Sequence, residues 1–555
     1  MPTFRYSIDR VKEVLGLSVA EAVKVLEKVK AEVEGVEEGY LVIELEVDRP
    51  DMYSLEGIKR QIDGLLGREV GIPKYTLTET GITIEASSVP PRPYVAGAVI
   101  WNVNVDEFFI EELIQFQEKL HNAIGKNRSR VAIGLHDLDK LPSREVRYTF
   151  DDIDKVRFTP LHYDKEMSLR EVLENTQQGI LYGNLSRVGN RHPVLYSGTE
   201  VISVPPVINS DITAIEPGTK NIFIDVTGTE LKPVLDTLSV LAANLSERSS
   251  RVIGYVTVSS PEGNLKEPSM ETRDIEIDAS YISSILGRDY TLEEITRALE
   301  RMRFNVKETQ PSGVNVEIPR YRVDVLHQID IVEEIVLFYG IENIGYTKPV
   351  LMLRGELTNY SYWERAARQV LTGLGFTEML TYTLVSCTQQ VQLSEVEERS
   401  LVKIKNPVST ETTCLRASLT PKLIEIAALN RQHTPLRLFE LGEVVVVTGK
   451  GDRGVEGRRK LAILYMDDKA GYEDIQAVVY TLLETMGHSI EKIKPLVNTK
   501  IFIKGRVAFL QASHNVTAIL GELHPEILEK VGIDYPIALA EIDYTDIVSR
   551  KHSLL

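Results

Sequence analysis

The stretch that most limits how this chain can fold is residues 319–346, PRYRVDVLHQIDIVEEIVLFYGIENIGY. A proline-bounded extended piece passes into an amphipathic helix that stops at a glycine. Four carboxylates fall inside it: Asp324, Asp330, Glu333 and Glu334. On a helix, Asp330, Glu333 and Glu334 stand at i, i+3 and i+4 and share a face, where like charges cost roughly 0.2–0.5 kcal/mol per pair. Ile329, Val332, Ile335, Val336 and Phe338 form the opposite, core-seeking face. The acidic face is either solvated or closed by a hard cation, and carboxylate oxygens with bound water suit Mg²⁺. Spacing alone leaves both readings open.

At 555 residues the chain exceeds a single core, and about three or four domains follow from roughly 150 residues per domain. A net charge of −18 excludes a surface that is nucleic-acid footprint throughout, though not local RNA contact. The two cysteines, Cys387 and Cys414, have neither metal spacing nor a disulfide framework, which points to a reducing compartment. The first residues lack an apolar signal region, and no apolar run reaches membrane-spanning length. The expectation is a cytoplasmic chain without a membrane span.

Residues 1–84 read as an N-terminal α+β domain. Ser18 with Glu21 forms a capping box, YLVIELEV alternates like a strand, and Ser54 caps a second helix after DRPDMYS. Asp48, Arg49, Asp51 and Ser54 read as a strand–turn–helix joint held by local hydrogen bonds. The proline-rich SSVPPRP then opens a domain over 85–262, in which strands and helices alternate as in an α/β fold. Within it, KNRSR is a basic patch. Asp225 and Thr227, two apart on IFIDVTG, share one strand face and need partners, as a structural pair or as part of a polar pocket. Residues 268–345 read as a compact, winged-helix-like α+β unit in which Thr291 and Glu294 form another capping box. Residues 346–555 read as an antiparallel-sheet domain, because strands recur without regular intervening helices.

Several signals fail. Gly449–Gly454 fits G-x-G-x-x-G but lies between two strands with no βαβ context, so it reads as a hairpin loop. There is no P-loop, H-E-x-x-H or nucleophile elbow, and the cysteines read as packed core thiols.

DRPDMYSLEGIKR, PPVINSDITAI, PRYRVDVLHQIDIVEEIVLFYGIENI, NPVSTETTCLRASLTPKL, LFELGEVV and GELHPEIL occur in that order. Together they resemble the β subunit of phenylalanyl-tRNA synthetase in its archaeal/eukaryotic form, over nearly the whole chain. Neither the extra N-terminal oligonucleotide-binding insert nor the C-terminal anticodon-binding domain of the bacterial form is expected within the 555 residues. The resemblance implies a heterotetramer of two α and two β subunits. In it the α subunit uses ATP to activate phenylalanine and charge tRNA(Phe), and the β core is a catalytically degenerate class II synthetase domain. No Gly-x-Gly-x-Arg follows GELHPEIL, so the bidentate arginine clamp on ATP is missing. The helix near Trp363–Leu374 resembles the motif that packs subunits together.

The resemblance also implies a Mg²⁺ site at Asp324, Asp330, Glu333 and Glu334, spaced six, three and one apart, and an editing domain over 85–262 that hydrolyses mischarged Tyr-tRNA. It places Gln117, Glu118 and Asn209 around the water and ester, Asp225 or Thr227 near the amino-acid side chain, and Arg128 by the tRNA end. With no Ser-His or Cys-His pair evident, attack by a positioned water is expected, and His136 reads as a satisfied structural histidine or a proton carrier. A non-enzymatic assembly and tRNA-positioning scaffold is the alternative.

Overall fold

The computed structural model describes residues 1–546 except 262, 310–312 and 347. The expected domain end at 262 and the tail 547–555 therefore lie outside the described residues. The chain forms two compact units, Met1–Lys348 and Pro349–Leu555.

The first unit begins with a three-stranded antiparallel sheet, in the order Thr3–Ser7, Tyr40–Leu45, Ala31–Glu37. Helices Ile8–Leu15, Val19–Leu26 and Leu55–Leu66 accompany it. Ser18 and Glu21 make the expected capping box, and the Ser54 hydroxyl accepts the Gly57 N–H at 3.2 Å.

A larger sheet follows, and it corrects two expectations. It runs Ile208–Asn209, Glu200–Val204, Arg191–Ser197, Glu145–Asp152, Thr76–Ala86, Val252–Ser260, Tyr94–Ile100, Ile222–Gly228, Val131–Asp137. First, Thr76–Ala86 crosses the expected boundary at 84/85 and pairs near the middle of this sheet. Second, the sheet is mainly antiparallel; among the described residues only the two pairings of Thr76–Ala86 are parallel. Short returns cause this. Gly198 and Thr199 alone join Arg191–Ser197 to Glu200–Val204, a connection that only antiparallel strands permit. Helices Glu107–Asn122 and Leu231–Ser246 pack their apolar sides into one core shared by this sheet and the N-terminal module.

The unit ends in the sheet Arg273–Asp278, Gly313–Ile318, Asn305–Thr309, with helices Ala279–Leu286, Leu292–Arg301 and Gln328–Tyr339. Thr291 and Glu294 cap the middle helix as expected. The acidic helix sits differently from its expected register. Ile331, Val332 and Ile335 are its buried face, while Ile329 is 44% exposed. Glu334 is buried beside Ile335, whereas Glu333 faces solvent. Their acidic face is thus divided by the core boundary.

The second unit is a seven-stranded sheet: Thr377–Glu378, Leu436–Val447, Val455–Met466, Ile537–Asp543, Thr517–Leu523, Phe502–Ala512, Ile490–Pro495. Every pairing except the first is antiparallel. Gly449–Gly454 lies in the hairpin between its two longest strands. Helices Asn359–Gly373 and Tyr472–Thr485 supply one apolar core, and Thr420–Leu429 and Pro525–Val531 supply another. Trp363 stacks on Tyr544 at 4.2 Å and donates its indole N–H to His488 Nε2 at 3.2 Å, so this part of the helix is anchored in its own core. Cys414 is buried, and burial, then Cys387 beside it, pushes its thiol up to about 12; it packs as an inert core thiol. No helix among the described residues is long and apolar enough to cross a membrane.

Candidate active site

A cavity of about 310 Å³ opens in the larger sheet of the first unit, within the range of small-molecule sites. The helix Glu107–Asn122 forms one wall, and the strands Val131–Asp137, Ile208–Asn209 and Ile222–Gly228 form others. Five of the six pocket residues expected from sequence line it: Gln117, Glu118, Arg128, Asn209 and Asp225. Thr227 does not. It is fully buried, and its hydroxyl has no hydrogen-bond partner among the described residues. The strand carries Asp225 and Thr227 on the same face, as its period of two requires, but the cavity ends before Thr227.

Glu118 is tied on two sides. It accepts a hydrogen bond from Arg128 Nη2 at 2.5 Å and from His121 Nδ1 at 3.1 Å. His121 Nε2 accepts the Ile133 N–H at 2.8 Å, so the proton of the neutral ring sits on Nδ1. Burial pulls the His121 pKa down and keeps that ring neutral. Burial alone would raise the Glu118 pKa, but His121 and Arg128 more than reverse this and hold it at about 2. Such a carboxylate is a weak general base near neutral pH. Its geometry instead anchors Arg128.

Arg128 adopts a left-handed backbone, φ 65°, and lies over the Tyr182 ring at 4.5 Å. It also donates to the carbonyls of Pro206 and Val207, at 3.3 and 3.1 Å, closing the loop above the cavity. Behind it, the fully buried Arg92 donates to the carbonyls of Arg128 and Thr227 and to the Ser186 hydroxyl. Burial lowers the Arg92 pKa to about 10.

Gln117 donates to the Ile133 carbonyl at 2.8 Å. Asn209 accepts from the Ser203 hydroxyl at 2.9 Å and donates to the Leu135 carbonyl at 3.3 Å. Both amides are therefore fixed to the strand Val131–Asp137, and Asn209 also to Glu200–Val204. Each amide also has further donor or acceptor capacity for a ligand or water.

Asp225 is 1% exposed, and its Oδ2 lies 2.9 Å from His136 Nε2. His136 Nδ1 lies 2.7 Å from the Thr213 hydroxyl. Both ring nitrogens of His136 are thus engaged, and neither is free to take a proton from water. That fits the structural-histidine reading rather than the proton carrier. Across the ladder, Asp225 pairs with Gly134, where a Cβ would come within 1.8 Å of Asp225 Oδ2. Sequence reasoning did not include Gly134, Ser203 or Thr213 in the pocket. The strand pattern Gly134-x-His136, both on the face that meets Asp225, was the signal that could have found the first.

The four acidic residues expected to hold Mg²⁺ lie elsewhere in the unit and do not converge as one set. Arg322 donates from Nε and Nη2 to Asp324, at 2.9 and 2.7 Å, and from Nη2 to Glu334 at 2.5 Å. Asp330 Oδ2 accepts the Leu326 and His327 N–H groups at the start of the helix. Glu333 faces Lys30 at 3.0 Å. Arg49, held by Asp51 at 2.9 Å, approaches Glu334 at 3.9 Å. Glu334 Oε2 is the one buried oxygen of the four residues without a partner among the described residues. A hard cation needs six or so oxygens from carboxylates and water, free of competing cations. In this arrangement the four residues do not fit a magnesium cage: arginine and lysine side chains pair with Asp324, Glu334 and Glu333, and backbone N–H groups occupy Asp330. The joint around Asp48, Arg49, Asp51 and Ser54 is correspondingly more than local: Arg49 and Asp51 belong to a buried ion network reaching the acidic helix.

Two family models match the chain. Residues 275–341 match the tRNA synthetase B5 domain, and residues 344–544 match the phenylalanyl tRNA synthetase beta chain CLM domain. These modules, with the cavity-bearing sheet before them, define a subunit of an aminoacyl-tRNA synthetase. The chain is 41% identical to the phenylalanine–tRNA ligase beta subunit of Aeropyrum pernix, over 98% of both chains. It is 38% identical to the beta subunit of Sulfurisphaera tokodaii, over 98% of both, and 36% identical to that of Saccharolobus solfataricus, over 97% of both. A crystal structure of an N-terminal fragment of the phenylalanyl-tRNA synthetase beta subunit from Pyrococcus horikoshii superposes with a TM-score of 0.59 at 32% identity, covering 61% of this chain and all of the fragment. The chain belongs to the phenylalanine–tRNA ligase beta-subunit family.

Proposed function

We propose that this chain edits: in the assembled ligase its cavity hydrolyses the ester of tyrosine wrongly attached to tRNA(Phe). An α subunit binds ATP and phenylalanine and charges the tRNA, and two copies of each chain form a cytoplasmic heterotetramer. The observation that carries the editing reading is Asp225, a buried carboxylate on the cavity wall with a second carboxylate oxygen beyond the one bonded to His136. An ionised carboxylate only accepts hydrogen bonds. It rewards a side chain that ends in a hydroxyl and leaves the acceptor unpaired when that hydroxyl is missing.

Such a second site is useful because an apolar pocket rejects an added hydroxyl by only about 10²-fold. Gln117 and Asn209, both held to the strand Val131–Asp137, order the ester and the attacking water. Arg128, anchored by Glu118, meets the negatively charged tRNA end. The proton leaves through water, because the ring nitrogens of His121 and His136 are engaged.

The second unit supports a core without its own aminoacylation site. Two carboxylates on its sheet are paired internally, Glu440 with Arg416 at 2.6 Å and Glu541 with Lys460 at 2.7 Å. Two measurements test the proposal. An α subunit co-purifies with this chain, and the assembled enzyme releases tyrosine from Tyr-tRNA(Phe) faster than the Asp225→Ala variant does. Equal rates would remove the editing assignment and leave the assembly and tRNA-positioning role.

A further inference from the structure

We propose that His136 is a positioning residue that sets the selectivity of the cavity: it holds Asp225 as an oriented acceptor for the side-chain hydroxyl of the bound ester, and Thr213 fixes the ring that does so. This rests on the editing reading above and adds the device by which selectivity arises.

Three fully enclosed side chains stand in line. Asp225, His136 and Thr213 are each at most 1% exposed. They come from two adjacent strands and the short turn Asp211–Thr213, so the line exists only in the folded sheet. The contacts are 2.9 Å from Asp225 Oδ2 to His136 Nε2 and 2.7 Å from His136 Nδ1 to Thr213 Oγ1.

Proton placement follows from the partners. A hydroxyl can donate, whereas an ionised carboxylate cannot. With Thr213 donating to Nδ1, the ring proton sits on Nε2 and is donated to Asp225. The opposite tautomer would set a bare nitrogen against the carboxylate. In the first arrangement Asp225 remains an acceptor, turned by one hydrogen bond so that its remaining capacity faces the cavity it lines.

Gly134 provides the room. It lies directly across the ladder from Asp225, and a Cβ there would meet Asp225 Oδ2 at 1.8 Å and His136 Nε2 at 3.0 Å. The carboxylate therefore leans over a position that must lack a side chain, towards a histidine two residues along the same strand. Without the histidine it would be free to rotate out of line with the ligand. Removing a hydrogen bond to a charged group of this kind is expected to lower discrimination by about tenfold or more.

The test compares His136→Gln with His136→Met in the assembled αβ enzyme. Glutamine returns an N–H donor at a similar reach; methionine keeps bulk without a donor. The readout is the ratio of deacylation kcat/KM for Tyr-tRNA(Phe) over Phe-tRNA(Phe). The expected result is a ratio lowered about tenfold or more in H136M and largely restored in H136Q. In an Asp225→Asn background, H136M should change the ratio no further, because His136 acts through Asp225. An equal ratio in H136M and wild type, equal losses in H136M and H136Q, or a further full loss in the Asp225→Asn background would overturn the inference. If neither His136 variant folds, Thr213→Val replaces them: a lowered ratio supports the assignment and an unchanged ratio overturns it. A wild-type enzyme that fails to deacylate Tyr-tRNA(Phe) defeats the editing reading itself, and this inference with it.

Discussion

Replacing Arg322 by methionine tests what closes the charge at the acidic helix. Arg322 is 1% exposed and binds Asp324 through two hydrogen bonds and Glu334 through a third. The variant strands two carboxylates whose side chains are 6% and 1% exposed. Breaking a buried pair by removing one partner costs about 3–5 kcal/mol. The first unit has 348 residues, so an unfolding entropy of about 2.1 cal/mol/K per residue turns that cost into a drop of about 4–7 °C in its melting transition. The assay is differential scanning calorimetry on the full chain, run in EDTA and again in magnesium. Because arginines carry the neutralising charge, the wild-type transition should differ by less than about 1 °C between the two buffers. A drop below about 1 °C in Arg322→Met would show that the arginine is not the neutralising partner. A large EDTA effect on the wild type would show that a metal ion is.

Acid should weaken the same network. Burial alone would raise the Asp51 pKa, but Arg49, Arg322 and Arg60 outweigh it and hold it at about 2, against an ordinary 3.8. A folded-state pKa below the unfolded one gives stability that is present above about pH 4 and is lost as pH falls towards 2, here about 2 kcal/mol. Chemical denaturation between pH 5 and pH 2 should show that loss in the wild type and a flatter curve in Asp51→Asn; equal slopes would count against it. Gly134→Ala should push the Asp225 carboxylate out of place, cost about 1–3 kcal/mol from overpacking, and abolish editing while phenylalanine charging continues. Retained editing in a folded Gly134→Ala enzyme would show that the carboxylate does not need that space.

Short-range chemistry was the most readable part of this chain. The capping boxes at Ser18–Glu21 and Thr291–Glu294, the Ser54 cap and the Gly449–Gly454 hairpin all depend on residues within a few positions of one another, and each formed as its spacing required. The antiparallel second unit was also visible, because its strands do not alternate regularly with helices, although Tyr472–Thr485 and Pro525–Val531 lie between two of its strand pairs in sequence. The larger sheet of the first unit was harder to place. Its parallel strand Thr76–Ala86 precedes the proline-rich segment that looked like a boundary, and its partners are distant in sequence.

The acidic helix shows why a helical pattern alone can mislead. Asp330, Glu333 and Glu334 do recur at i, i+3 and i+4, but adjacent residues on a helix straddle the edge of a core. Glu334 went inside because Arg322 and Arg49, outside its helix, were there to receive it. In the cavity, Gln117, Glu118, Arg128, Asn209 and Asp225 were named through a family resemblance, and the fold brings those five together. The register that sets Gly134 opposite Asp225, and leaves His136 within reach of it, joins strands some 89 residues apart and is not written in either strand.

The most direct test of the editing assignment is deacylation of Tyr-tRNA(Phe) by the assembled enzyme carrying Asn209→Ala. Asn209 accepts from Ser203 and donates to Leu135 in the wall of the cavity. In this variant Tyr-tRNA(Phe) should accumulate while charging with phenylalanine proceeds at the wild-type rate. Deacylation at the wild-type rate in a correctly folded variant would contradict it.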